Sequence, residues 1–412
     1  MATTMIPRPD LLDANSPAGL EVFQLTSEAL PSSHIYMEAQ IFTPDSKRLL
    51  LHRSATPHGS SKDDPEHRYL LCDLADGGKL IPVTDEVGAT APSVAPDGKS
   101  FYYFVNQTRI GGGRLTLKRR RIDGSASETL VVIDGPLPGT TFRPSCIYPL
   151  STISADGRRL AVSAFLGDGA ETGAPFGLMV FDIPSATVSL ILYGPSWCNM
   201  HPQYSRSSDP RHARDILVQE NHGNVSDAQG NIAKLVTGVG ADIHVVRDDG
   251  MSFRDMPWGR DGLEQCQGHQ CWRGCSDWAI TSTGSPDGFR LIEGRAVAHV
   301  DHNGLKTPGA VRNDLSVRVP QPTFFHFATD RDGQRLITDS RLPDGRVPVL
   351  VARLGEAGRD PLQDLTYLLD SRSKWLKDSH IHPFLSPDGR IGFFNSNESG
   401  VLQAYMIRNL PG

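Results

Sequence analysis

The sequence contains no run of about 18 consecutive apolar residues, so it indicates no membrane-spanning helix. Its six cysteines are too few to cross-link a chain of 412 residues, which excludes the class of disulfide-rich secreted domains. Its 41 Lys and Arg do not outnumber its 47 Asp and Glu, and the net charge of −6 argues against a nucleic-acid partner. The first ten residues lack the basic and apolar segments of a signal peptide, which favours the cytoplasm.

What the sequence does contain is abundant glycine (40) and proline (30) and one recurring pattern. A tight turn, in most copies Asp-Gly, recurs near residues 45, 97, 156, 207, 275, 332 and 388. Alternating apolar residues follow each turn, and alternation bounded by Asp-Gly turns predicts β-hairpins. Further segments supply a third strand in every copy and a fourth in most. Seven antiparallel four-stranded units predict an all-β protein, a seven-bladed β-propeller that forms one domain over residues 1–412.

The two ends of the chain predict how this ring closes. The seventh copy stops after its third strand, at Leu410-Pro411-Gly412, whereas residues 22–26 resemble an isolated fourth strand. We expect that N-terminal strand to complete the last blade, because closure leaves no open sheet edge. Residues 1–20 are expected to be an irregular N-terminal extension. In the fifth copy, the third strand is predicted at residues 296–300.

Histidine lies six residues before the turn in four of the later copies, as His201, His269, His326 and His382. The first strand of each propeller blade lines the central channel, so residues at one register lie at one height around the axis. Imidazoles from neighbouring blades can then reach a common ion, each at about 2 Å. Three histidines at one register in consecutive blades therefore predict a metal site, although a lone histidine there would more simply satisfy polar backbone.

Two further residues are candidates for the same site. His380 lies two residues before His382, on the same face of the strand if that strand is regular, as an additional ligand or as a partner of one. Gln321, five residues before His326, is a candidate oxygen ligand. Nitrogen ligands with one carbonyl oxygen leave Mn²⁺, Zn²⁺, Fe²⁺ and Ni²⁺ open.

Three cysteines surround His269 and offer a competing metal site. Cys266, Cys271 and Cys275 match no common zinc spacing, and an inner strand would point them apart. We therefore expect buried, reduced thiols.

Two other polar residues are candidates for catalysis or substrate binding. His222 lies at the start of a loop after the second strand of the fourth copy, and an imidazole can act as a general base near neutral pH. Arg206, beside the turn of the same copy, could pair with an anionic substrate. A surface histidine and a surface arginine remain the structural alternatives.

Several segments together resemble the oligogalacturonate lyases, a family of metal-dependent, seven-bladed propeller enzymes. The matching segments are residues 34–45, His201-Pro202-Gln203-Tyr204, Glu220-Asn221-His222-Gly223, Gly268-His269-Gln270-Cys271-Trp272, His326 with Asp332-Gly333, and His380-x-His382-Pro383. The Gly-His-x-x-Trp and His-x-His-Pro pieces are the more specific ones, since Ser-Pro-Asp-Gly turns occur in many propellers.

The resemblance implies β-elimination on short uronate oligomers from pectin. A cation bound to the uronate carboxylate would withdraw charge from the neighbouring carbon, and a neutral imidazole would take its proton. By position it implies His269, His326 and His382 as ligands of a divalent metal, most simply Mn²⁺, and His222 as the base. Together with the candidates taken from the residues themselves, we predict Arg206 as a second catalytic residue, Tyr36, His201 and His380 as substrate-binding residues, and Gln321 as a further metal ligand.

Three positions depart from the pattern of that family. Gln270 stands where a glutamate is usual, Ser205 where an arginine is expected, and Thr323 where a glutamine ligand is expected. These changes leave open a related metal-dependent lyase or epimerase acting on another glycan or an oxidised sugar. A non-catalytic propeller that binds a protein or a glycan is the alternative from another class.

Overall fold

The computed structural model describes residues 5–55, 63–235, 240–258, 265–285, 288–298, 311–319, 323–376 and 379–412. Strands dominate these residues, and they contain no α-helix. Two of the short 3-10 turns are Pro9–Leu11 and Leu74–Asp76. No described helix is both long enough and apolar enough to cross a membrane.

Seven antiparallel sheets follow one another along the chain, which confirms the predicted seven-bladed β-propeller. Blade 1 consists of Ser32–His34, Arg48–Arg53, Arg68–Asp73 and Lys79–Pro82. Blade 2 consists of Ala89–Val94, Ser100–Arg109, Gly112–Arg121 and Ser127–Ile133. Blade 3 consists of Cys146–Ile153, Arg159–Phe165, Phe176–Asp182 and Thr187–Gly194. Blade 4 consists of Gln203–Tyr204, Asp215–Asn221, Ala241–Arg247, Arg254–Asp255 and Val297–Ala298. Blade 5 consists of Gln265–Trp272, Trp278–Ser285, Gly288–Arg295 and Arg312–Asp314. Blade 6 consists of Phe327–Thr329, Arg335–Asp339, Pro348–Arg353 and Gln363–Asp370. A small hairpin, Val225–Ser226 with Ile232–Lys234, rises from blade 4.

The ring is closed by the N-terminal strand, as predicted. Blade 7 contains Phe384–Leu385, Gly392–Ser396 and Gln403–Arg408, and Glu21–Gln24 completes it by antiparallel pairing with Gln403–Arg408. Residues 1–20 add the short strand Ile6–Pro7 on the outside of this blade. The sheet that closes the ring therefore contains both ends of the chain, and its inner strand leads directly from the His380–His382 segment.

The hydrophobic core lies between neighbouring blades, because both faces of each sheet are covered. Between blades 2 and 3, for example, the buried rings of Phe104 and Phe181 lie 5.2 Å apart and pack with Leu117 and Leu160. Full burial of each such side chain stabilises the fold by roughly 1.5–3 kcal/mol. This packing fixes the angle between blades and therefore the positions of the seven inner strands.

One predicted strand is misplaced. The third strand of blade 5 is Gly288–Arg295 and not residues 296–300. Leu291 and Ile292 are buried in the core between blades, so this segment and not the next supplies the packed strand. Val297–Ala298 instead pairs with Arg254–Asp255 as an outer strand of blade 4.

Candidate metal centre and its surroundings

The backbone is kinked at the position that the histidines share in the repeat. In blades 4, 6 and 7 the inner strand begins only after the histidine, at Gln203, Phe327 and Phe384. His201 (φ 47°) and His382 (φ 41°) adopt the left-handed conformation, which is strained for any residue with a Cβ. The preceding carbonyls still bond the next strand, with Ile381 O accepting from Asn395 N at 2.8 Å. Such a kink redirects the side chain, so His380 and His382 do not lie on a regular strand.

Three histidines meet at the channel and form what we call the axial histidine group: His326, His380 and His382. One ring nitrogen from each lies within 4.8 Å of the others. The ring centroids are 4.5 Å apart for His326 and His382, 5.1 Å for His326 and His380, and 5.6 Å for His380 and His382. This is the group of potential metal ligands that stands out among the described residues.

Asp339, on the second strand of blade 6, orients His326. Its carboxyl lies 2.6 Å from His326 Nδ1 and accepts from the His326 backbone N–H at 2.8 Å. Burial raises the pKa of Asp339 to about 8 and lowers that of His326 to about 3, so both groups favour their neutral forms. A cation on Nε2 would keep His326 neutral but would favour ionised Asp339, whose carboxylate would accept the Nδ1 proton, as is usual behind metal-bound histidines.

His269 lies beside the axial histidine group, with its ring centroid 4.6 Å from that of His326. Its Nδ1 donates to Phe325 O at 2.7 Å, which leaves the lone pair on Nε2. Burial, and then the charge of His326, holds the pKa of His269 well below its usual range. His269 is thus a neutral imidazole next to the group and not one of its three mutually close members. The predicted ligand Gln321 lies outside the described residues.

Trp375 covers this histidine cluster and was not singled out from the sequence. Its ring centroid is 5.0 Å from that of His380 and 5.7 Å from that of His326. Like His382, it has a left-handed backbone, with φ 41°. A strained residue with a large half-buried ring beside a polar cluster is typical of a functional site. No spacing rule in the sequence identifies it, because it lies in the irregular connection between blades 6 and 7.

A wall of aromatic residues continues from the axial histidine group to blade 3. Tyr36 lies between His382 and His201, with ring centroids 4.8 Å and 5.3 Å away. His201 Nε2 lies 2.9 Å from the hydroxyl of Tyr148, and its Nδ1 lies 3.2 Å from Glu38 Oε2. The predicted substrate residues Tyr36 and His201 are therefore in contact, whereas the third, His380, lies on the far side of His382, with ring centroids 5.6 Å apart. Tyr148 and Glu38 are additions that the sequence shows only as polar residues near the repeated register.

Arg206 lies further along the channel, towards the turns between the first and second strands. It lines a cavity of about 200 Å³ to which all seven blades contribute, together with residues such as Ala328, Leu385 and Cys275. Burial raises the pKa of Glu38, and the positive charge of Arg206 offsets part of that rise. Arg206 is thus placed below the histidines, at the opposite end of the channel from His380.

His222 belongs to a separate cluster, which we call the blade-4 network: Glu220, His222, Asp242, His244 and Asp255. His222 Nε2 lies 3.0 Å from Asp242 Oδ2 and 3.6 Å from Glu220 Oε2. The same Glu220 oxygen lies 3.2 Å from His244 Nε2, and Asp255 lies 2.8 Å from His244 Nδ1. Burial works against ionisation of Glu220, but hydrogen bonds from His244 and Ser196 outweigh it and lower the pKa. His222 follows the second strand of blade 4, Asp215–Asn221, and so lies at the end of the propeller where the inner strands begin.

The three cysteines around His269 are free thiols, with Cys266 and Cys271 buried and Cys275 partly exposed. Burial raises the pKa of Cys271 to about 12, which disfavours the thiolate that a zinc ion requires.

Comparison with known proteins gives matches of structure only. No protein-family model matches the chain, and no curated protein matches it in sequence. Its structure is similar to that of an oligogalacturonate lyase in complex with manganese, with a TM-score of 0.69, 16% identity, and coverage of 100% of this chain and 98% of the other. An oligogalacturonate lyase from Vibrio parahaemolyticus also gives a TM-score of 0.69 at 16% identity and covers 99% of this chain and 98% of that one.

A more distant likeness, with a TM-score of 0.50 and 12% identity, is to a GH74 enzyme from Niastella koreensis. It covers 89% of this chain and 51% of the other.

The two matches to oligogalacturonate lyases cover 99–100% of this chain. Across its whole length, the protein therefore has the fold of the oligogalacturonate lyases.

Proposed function

We propose that this protein is a metal-dependent lyase that cleaves short uronate oligosaccharides of the oligogalacturonide type by β-elimination. The observation that carries the proposal is the axial histidine group, three imidazoles with ring nitrogens within 4.8 Å of one another at the centre of the propeller. The likeness of the whole fold to an oligogalacturonate lyase in complex with manganese supports the same reading.

The donor set suits a divalent cation. Three imidazoles at one point offer nitrogen ligands, and the buried carboxyl of Asp339 lies behind His326. His326, His380 and His382 would hold the ion, with His269 beside them. Imidazole ligands alone do not select the metal, and we propose Mn²⁺ because the structurally similar lyase is described as a manganese complex. When bound, the cation supplies a Lewis acid for the uronate carboxylate, which lowers the cost of removing the neighbouring proton.

The residues of the chain would then bind the sugar and move protons. Tyr36 and His201 form the wall along which a sugar next to the axial histidine group would lie. Arg206, which lines the cavity further along the channel, would pair with a second carboxylate of the oligomer. We assign the proton abstraction to His222, the base that the family resemblance implies. It acts in its neutral form, and Asp242 stabilises the imidazolium that results.

The experiment compares metal-free protein with protein reloaded with Mn²⁺, using digalacturonate and trigalacturonate as substrates and a neutral galactose disaccharide as the control. Elimination produces an unsaturated uronate with strong ultraviolet absorbance. We expect product only from the uronates and only with metal. Absence of product with Mn²⁺, Zn²⁺, Fe²⁺ and Ni²⁺ alike would overturn the assignment to uronates of pectin.

The role of His222 needs its own variant. A His222→Ala protein is expected to keep its metal and to lose about 10²–10⁴-fold in turnover, the usual contribution of a general base. Turnover equal to that of the wild type would remove His222 from the mechanism and leave the metal assignment intact.

One observation favours a second candidate, the same metal chemistry on a different acidic glycan. Gln270, which stands where the family usually has glutamate, is fully buried beside His269, and its side-chain amide has no hydrogen-bond partner among the described residues. A panel of oligomers of other uronic acids, assayed in the same way, separates the two candidates.

A further inference from the structure

We propose that Tyr148 is the proton donor to the departing sugar oxygen, and that His201 and Glu38 replace its proton. This inference rests on the proposed lyase function and names a catalytic group for it. Tyr148 lies on the inner strand of blade 3, Cys146–Ile153, and is half-buried, so that its ring borders the channel. It was not among the residues that the sequence pattern selected.

The hydrogen bonds around Tyr148 form one continuous path for protons. Its hydroxyl donates to Asn199 Oδ1 at 2.9 Å, and the same oxygen accepts from His201 Nε2 at 2.9 Å. The other nitrogen of His201, Nδ1, lies 3.2 Å from Glu38 Oε2. With Nε2 donating to the phenol oxygen, the proton between Nδ1 and Glu38 is the next one in the path. Three side chains from blades 1, 3 and 4 thus form one relay that ends at a hydroxyl.

The position of the relay matches the place where a substrate would lie. His201 is separated from His382 of the axial histidine group only by the ring of Tyr36. The relay is also held rigidly, because His201 and Asn199 have left-handed backbones. That strain is maintained by the neighbouring second strand, where Gln219 N donates to Met200 O at 2.8 Å and the Asn221 side chain donates to Cys198 O.

The pKa shifts suit Tyr148 as a proton donor and not as a proton acceptor. Burial raises the pKa of Tyr148, so the phenol keeps its proton at neutral pH. Burial also raises the pKa of Glu38 above its ordinary value, the direction that suits the last proton donor of the relay. A sugar alkoxide is a poor leaving group without a proton, and a neutral phenol beside it would supply that proton.

The step balances as follows. The base takes the proton from the carbon next to the carboxylate, the electron pair of that bond forms the carbon–carbon double bond, and the bond to the glycosidic oxygen breaks. That oxygen takes the hydroxyl proton of Tyr148. The phenolate then takes the Nε2 proton of His201, and Nδ1 takes the proton of Glu38. The negative charge ends on the Glu38 carboxylate, and water returns the proton from the base.

The test uses two substrates that differ only in the group that leaves. One is a diuronate with a sugar leaving group, and the other is a uronate carrying a nitrophenolate in its place, which departs without a proton. For Tyr148→Phe we expect a loss of about 10²–10³-fold in kcat with the sugar leaving group and less than about 10-fold with the nitrophenolate. Equal losses on both substrates would show a structural role, and no loss on either would show none; both outcomes overturn the proposal.

Two further variants keep the test decisive if Tyr148→Phe folds poorly. His201→Gln interrupts the relay behind the phenol and is expected to show the same dependence on the leaving group, with a smaller loss. Tyr193→Phe removes the hydroxyl of an exposed tyrosine on the outer strand of blade 3 and is expected to change neither rate. Manganese content, measured for each variant, must equal that of the wild type. Wild-type protein that eliminates no uronate overturns the proposed function itself, whereas active wild type with fully active Tyr148→Phe overturns only this inference.

Discussion

The axial histidine group and the blade-4 network place the same side chain in opposite surroundings. In the axial group, imidazoles face imidazoles, with ring centroids 4.5 to 5.6 Å apart and one carboxyl, Asp339, behind them. In the blade-4 network, each imidazole faces carboxylates: His222 meets Asp242 and Glu220, and His244 meets Glu220 and Asp255.

The difference teaches that the neighbours of a histidine, and not its position in the repeat, decide what it can hold. In the axial histidine group, burial lowers the pKa of His326 to about 3, so this imidazole is neutral at neutral pH. In blade 4 each imidazole already lies against carboxylates, at 2.8 to 3.6 Å. A cation would find three imidazole nitrogens close together in the first cluster, whereas in the second it would have to displace existing ion pairs.

The largest expected effect separates the two clusters by metal affinity. His326→Ala is expected to weaken Mn²⁺ binding by more than about 100-fold, because it removes a ligand where loss of an outer partner alone typically costs 10–100-fold. His222→Ala, the matched change in blade 4, is expected to leave metal affinity unchanged. Elemental analysis and calorimetric titration measure both. Equal loss of metal in the two variants would abolish the distinction between the clusters.

A smaller effect is expected from the aspartates behind the histidines. Asp339→Asn is expected to weaken metal binding by about 10–100-fold, because the amide no longer stabilises the Nδ1 proton of a metal-bound His326. Asp242→Asn changes the equivalent partner of His222 and is expected to leave the metal in place. A metal affinity for Asp339→Asn that matches the wild type would contradict the orientation of His326 argued above.

The pH dependence of stability extends the comparison to His67, an imidazole that belongs to neither cluster. In blade 1, burial and then the charge of His52 lower the pKa of His67 to about 3. In the unfolded chain His67 takes up a proton near 6.5, whereas the folded chain does not, so stability falls as the pH drops from 6.5 towards 3. Between pH 6.5 and 4.5 the cost is on the order of 2–3 kcal/mol.

Urea unfolding of the wild type and His67→Phe over that range measures this cost, and parallel curves would refute it. Glu220→Gln provides the contrast. A lowered pKa means that the Glu220 contribution is present above the ordinary value of 4.5 and is lost as the pH falls through the lowered one. Its curve should therefore run parallel to the wild type above pH 4.5 and depart from it only below.

The smallest expected effect concerns the tryptophan next to each cluster. Trp375 covers His380 and His326, whereas Trp197 lies 5.6 Å from His244. Trp375→Phe leaves the ligands in place but opens the apolar cover, so release of Mn²⁺ to a chelator is expected to become less than about 10-fold faster. Trp197→Phe is expected to leave that rate unchanged. A change of the same size in both variants would point to a general loosening of the propeller.

The repeats made the architecture predictable, since Asp-Gly turns and period-2 alternation are local signals that each blade carries separately. The N-terminal closing strand was predictable because the seventh copy lacks its fourth strand. The third strand of blade 5 was not, since the apolar residues 296–300 look more like a strand than Gly288–Arg295, and it is burial of Leu291 and Ile292 that selects the latter.

The candidate site was predictable to the level of the register and no further. Histidine at that register indicated a shared position on the axis, and His326 and His382 do meet there. The left-handed kink at His382 brings His380 into the same group, and no spacing rule contains such a kink. Tyr148 and Glu38 join His201 from other blades, through contacts across more than 50 residues of sequence that only the packed ring creates.

The sheet that closes the ring has a consequence for how the protein is made. The inner strand of blade 7 follows directly from His380 and His382, and its outer strand, Glu21–Gln24, pairs with Gln403–Arg408. On the ribosome Glu21–Gln24 emerges long before Gln403–Arg408, the strand with which it pairs. His326, His380 and His382 are therefore synthesised before the sheet that fixes the geometry of the seventh blade can form.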